Sequence, residues 1–69
     1  MDDIARRIVE RRREMGLRQE DLARLAGVSR ARVIAIEQGS PALQIDKLRR
    51  VLDVLGLVLT VEERREPPS

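Results

Sequence analysis

Apolar residues recur at helical spacing over the first 55 positions of this chain, and then the rhythm changes. Ile4, Ile8, Arg12 and Met15 fall on one stripe, widened by Ala5 and Val9, which predicts a helix over residues 2–15. Asp2 or Asp3 can cap its start and complement its dipole, and Gly16 ends it. A second, short helix is expected over 18–26, with Leu22, Leu25 and Ala26 inward, Glu20 and Asp21 in its first turn and Gly27 as its stop. Ser29 suits the N-cap of a third helix over 30–37, in which Val33 and Ile36 point inward. Residues 38–41, Gln-Gly-Ser-Pro, read as a loop. A fourth helix follows from Asp46 to Leu55, with Ile45, Leu48, Val51, Leu52 and Leu55 facing in, and Gly56 ends it.

From there the period is two. In "LVLTVEE", residues 57–63, Leu57, Leu59 and Val61 alternate with Val58, Thr60 and Glu62, which predicts a short strand. The sequence offers it no partner strand. The tail "RREPPS", residues 64–69, is expected to be disordered. The chain thus divides into a helical unit over 1–56, a strand over 57–63 and a tail over 64–69.

Composition narrows what such a unit does. Sixty-nine residues make one small domain with little surface to bury. Cys and His are both absent, so disulfides and the usual zinc sites are excluded, leaving dense packing and oligomerisation as sources of stability. No aromatic residue is present, so no base-stacking platform for single strands can be built. Without His, Cys or Tyr, most nucleophile and redox arrangements are unavailable. The acids sit among arginines at helical spacing, the pattern of solvated faces. No enzyme activity, cofactor or metal is therefore expected. Net charge is only +2, yet 13 of the 14 basic residues are Arg, whose planar donor fork suits phosphate and guanine. No apolar run approaches the ~20 residues of a membrane span. Asp2 and Asp3 stand where a secretory signal would be basic, so a cytoplasmic location is expected.

The stretch "GVSRARVIAIEQGS", residues 27–40, raises the functional question. Two arginines separated by one alanine are either the wet face of a short helix or a face held out toward something negatively charged. Two short helices joined at a glycine, the second starting on a serine, suggest a helix-turn-helix. Counting from Gln19, a small residue is required where the helices cross, and Ala23 is there. A residue tolerant of positive φ is required at the turn, and Gly27 is there. Val28, Val33 and Ile36 occupy the apolar positions that follow.

The stretch "LRQEDLARLAGVSRARVIAIEQGSP", residues 17–41, resembles the Cro/cI-type helix-turn-helix family, also called the XRE family, and the resemblance extends from Ile4 to Leu55. It implies an all-α, lambda-repressor-like bundle of four to five helices whose third helix lies in the major groove of double-stranded DNA. It implies that Arg12 and Glu37 form a largely buried, structural pair. On the third helix Ala31, Ile34, Ala35 and Gln38 face away from the core. Arg30, at its start, is the first choice for contacting a base edge, a guanine above all. Ala31 and Ala35 allow close approach and can meet thymine methyl groups. Arg32, on a flank, suits a phosphate as well as a base. Ile34 departs from the polar residue common in the family, and either meets a methyl group or packs toward the fourth helix. Gln19, Ser29 and Gln38 match family positions that contact backbone or bases, with Arg18 and Ser40 flanking the same surface. Arg6, Arg7, Arg11 and Arg13 read as a wet face paired with Glu10 and Glu14.

The segment "LQIDKLRRVLDVLGLVLTVEERR", residues 43–65, is similar to the end of HipB-like antitoxins, in which a last helix runs into a short strand that pairs with its twin in a second protomer. An apolar edge left unpaired is a liability unless another chain covers it. The alternative is a strand folded back on its own helices. The resemblance implies a homodimeric repressor of a near-palindromic operator, the antitoxin of a toxin–antitoxin pair with a HipA-like kinase as toxin. Alternatives are a stand-alone phage-type repressor, a restriction–modification controller, or, in another class, a protein-interaction module that does not bind DNA.

Overall fold

A computed structural model describes residues 3–40 and 44–60, and over these the chain is all-α. Four helices follow one another: α1 (Asp3–Glu14), α2 (Gln19–Ala26), α3 (Arg30–Glu37) and α4 (Ile45–Leu55). Helix α2 packs against both α3 and α4, and α1 closes the bundle against the same two helices. Ile8, Leu22, Val33, Ile36, Val51 and Leu55 form the fully buried centre, with Ala5, Ala23, Ala26, Leu48 and Leu52 around it. The core contains only aliphatic side chains, so its cohesion comes from close packing of branched residues.

Each helix stops on the same device. At the end of α2, Gly27 adopts φ +71°, its N–H donates to Arg24 O, and the N–H of Val28 donates to Ala23 O at 3.0 Å. This is the Schellman arrangement, which satisfies two terminal carbonyls and turns the chain back toward the core. The same two bonds close α4, where Leu57 N–H donates to Leu52 O at 2.9 Å beyond Gly56. After α1, α2 and α4 the residue following the glycine is apolar and folded inward, and Leu17, Val28 and Leu57 all pack against the core; after α3 that place is taken by Ser40. Gly-Leu, Gly-Val and Gly-Leu are therefore helix stops fused to core residues.

Several expectations are corrected. Leu25 is 57% exposed, because Leu22, Ala23 and Ala26 fill the inner stripe of α2 and Leu25 lies roughly 100° around the helix from its centre. Ile45 is 59% exposed, since the buried stripe of α4 begins at Leu48. Ile4 and Met15 sit at the rim of α1, whose inner stripe is Ala5, Ile8 and the stem of Arg12. Among the described residues there is no strand: 57–60 carry no regular secondary structure. Leu57 is held by the α4 terminus, so its amide is not available to a ladder. Residues 61–63, including Val61, the tail over 64–69, Asp2 and Pro41 lie outside the described residues. Among the described residues no helix is long and apolar enough to cross a membrane.

Candidate nucleic-acid interface

Helix α3 is fixed at both ends. At its start, Ser29 Oγ accepts the N–H of Arg32 at 3.1 Å, which caps the helix. At its end, Glu37 is held by three donors. Arg12 Nε donates to Glu37 Oε2 at 2.6 Å and Arg12 Nη2 to Oε1 at 3.2 Å, while Gln19 Nε2 reaches Oε1 at 3.0 Å. Arg12 Nη1 also donates to Leu17 O at 2.8 Å. The two charged side chains are only 11% and 6% exposed. A carboxylate at a helix C-terminus is unfavourable against the dipole. Here the bidentate guanidinium offsets that and joins α1, α2 and α3 at one point.

Between these anchors, Val33 and Ile36 are buried and the opposite face is turned outward. Arg30, Ala31 and Gln38 are exposed; Arg32, Ile34 and Ala35 are half-buried on the flanks, as is Ser40 beyond the helix. Arg30 and Arg32 form no ion pair with any described residue. The cap leaves the Ser29 hydroxyl proton free to donate to an acceptor. Gln19 is half-buried, with its amide nitrogen committed to Glu37. Ala23 is 4% exposed in the core, where the two helices cross.

Arg18 stands differently from Arg30. It is exposed and tied to Asp21 (Nε to Oδ2, 3.1 Å) and to Glu20 (3.2 Å), which raises its pKa. Asp21 also accepts the Arg18 backbone N–H at 2.9 Å and pairs with Arg24. These contacts, the Arg18 side-chain bond first, lower the Asp21 carboxyl to about 2. A phosphate approaching Arg18 must compete with two carboxylates, whereas one approaching Arg30 meets no such competitor.

The arginines of α1 divide. Arg7 pairs with Glu10 and Glu14, Arg11 with Glu14, and Arg6 with Asp3, as solvated pairs. Arg11 does more than the wet-face reading allowed: its Nε donates to Leu55 O at 3.0 Å. A cation thereby satisfies a carbonyl at the negative end of α4. Residues 11 and 55 share no local sequence pattern, so nothing in the sequence pointed to this contact. Among the described residues no cluster of acids is placed to hold a metal ion.

The sequence has known relatives. The family profile described as Helix-turn-helix matches residues 8–60. A protein of Sinorhizobium fredii, named as an uncharacterized HTH-type transcriptional regulator, is 41% identical over 80% of this chain and 76% of its own length. A second protein so named, from Methanothermobacter thermautotrophicus, is 41% identical over 71% of each chain. With α2, the Gly27 turn and α3 all inside the matched span, the chain belongs to the XRE-type helix-turn-helix family of DNA-binding transcriptional regulators.

Proposed function

We propose that the chain is a sequence-specific repressor that binds double-stranded DNA as a homodimer, with α3 as its recognition helix. The observation that carries this reading is Arg30: an exposed guanidinium at the start of a helix anchored at both ends, with no ion-pair partner among the described residues. An Arg so placed can donate two bonds to guanine O6 and N7. Ala31 and Ala35 let the helix sink into the groove, while Arg32, Ser29, Gln38, Arg18 and Ser40 line its approach. Two such helices in a dimer would enter successive major grooves about 34 Å apart, which calls for a near-palindromic operator. The dimer contact assigned to Leu57, Leu59 and Val61 is supported by exposure at Leu59, an apolar side chain 40% exposed that a second copy would cover. The resemblance of residues 43–65 to HipB-like antitoxins supports an autoregulating antitoxin in the cytoplasm, with a HipA-like kinase as toxin partner.

The test is selection of bound duplexes from a random pool, followed by titration in increasing salt. A palindromic consensus with salt-dependent affinity is expected. Arg30→Ala should cost about 1–3 kcal/mol on that consensus and relax preference at one base pair per half-site. An unchanged consensus and affinity would remove Arg30 from the base contacts. Absence of any duplex binding would leave the protein-interaction reading in its place.

A further inference from the structure

The reading above gives no role to Lys47. Lys47, the single lysine of the chain, sits in the first turn of α4. It lines a polar hollow together with Gly27, Val28, Ser29 and Arg32. Helices α3 and α4 both pack mainly on α2, so a gap stays open between the turn that starts α3 and the start of α4. Two cations from different helices face this gap. Both are half-buried, and neither pairs with a described carboxylate. Arg6, Arg7, Arg11, Arg12, Arg18 and Arg24 all have acidic partners. Arg13, Arg30, Arg49 and Arg50 have none among the described residues but are exposed, so Arg32 and Lys47 are the described unpaired cations that are half-buried, and they line the same hollow. Two like charges converging on one concave site repel each other unless an anion joins them.

We propose that Lys47 and Arg32 together grip one phosphate of the DNA backbone at the mouth of this hollow. The inference rests on the DNA-binding reading and deepens it. One phosphate held from α4 and α3 at once would fix the register of α3 along the groove and so set which base pair Arg30 meets. Lys47 would carry no sequence information itself, since phosphate contacts position and base contacts specify.

A mixed-sequence duplex, titrated between 50 and 200 mM salt, tests this without knowledge of the operator. One phosphate contact changes the logarithmic salt slope by about 0.9, which corresponds to about eightfold in affinity near 0.1 M salt. Lys47→Gln should weaken binding in the wild-type or the Arg32→Gln background. The double variant should lose about eightfold in total and about 0.9 of slope. Two separate phosphates would give roughly sixtyfold and about 1.8, and that result overturns the shared grip. So does a Lys47→Gln variant that binds unchanged in both backgrounds. Lys47→Arg keeps the charge and should bind as wild type, even if Lys47→Gln proves poorly folded; loss of binding by a folded Lys47→Arg protein counts against the proposal. If the wild-type protein shows no salt-dependent duplex binding, the DNA-binding reading fails and this inference falls with it. Normal wild-type binding with silent Lys47→Gln variants, or with a double variant at the two-phosphate value, defeats this inference alone.

Discussion

Gly27 shows how a single residue sets the fold at the point where function is expected. A Cβ built on it meets nothing within 4 Å, so space is not the constraint. Its φ of +71° is the constraint, because a side chain there is strained wherever its atoms go. Gly27→Val should destabilise the domain by about 1–3 kcal/mol, at roughly 4–8 °C of melting temperature per kcal/mol. Gly27→Asn should cost less, since Asn tolerates the left-handed region. Equal melting of wild type and the Val variant would show that the turn relaxes out of that conformation. This residue was legible in the sequence because a glycine between two helical patterns is a local signal. Leu25 and Ile45 were not, because periodicity marks the apolar positions of a short helix without saying which of them the rest of the bundle reaches.

At the scale of the element, the decisive feature is how α3 is held. Glu37 and Arg12 are nearly buried, and their worth lies in mutual satisfaction: no buried side-chain polar atom among the described residues lacks a partner. Arg12→Met would leave the Glu37 carboxylate with Gln19 as its remaining donor in a dry site. That should cost about 3 kcal/mol or more, while Arg12→Met combined with Glu37→Met should recover much of the loss. Denaturant unfolding of the two variants decides the point; a double variant no better than the single would mean the pair itself, not the stranded charge, supplies the stability. The helix ends were legible, since Ser29, Gly39 and Gly56 are local markers. The Arg11 bond to Leu55 O was hidden, because it depends on the angle at which α1 crosses α4. Gln19 shows the same limit: its place in the motif was plain, its bond to Glu37 was not.

For the whole molecule, the feature that matters is the apolar surface just after Gly56, where Val58 and Leu59 are exposed. Leu57 belongs to the end of α4 and can donate nothing to a second copy, so a ladder would take its first amide from Val58. Leu59→Pro removes one of the next donors and should break such pairing. The expected result is a monomer at micromolar concentration in sedimentation, with helical circular dichroism retained and most operator affinity lost. A variant that remains dimeric would move the contact to the helices. Alternation of apolar residues predicted a strand here. A strand, however, is a property of two segments, and one chain supplies only the first.

The anchoring of α3 has a consequence for divergence. Its inward residues, Val33 and Ile36, its cap and its Glu37 clamp hold the helix, while Arg30, Ala31 and Gln38 contribute almost nothing to the core. Positions that would read the operator and positions that keep the helix in place are thus different sets. Substitutions in the first set carry little stability penalty, so under the proposed reading operator preference can change while the fold is kept, with selection acting on binding alone.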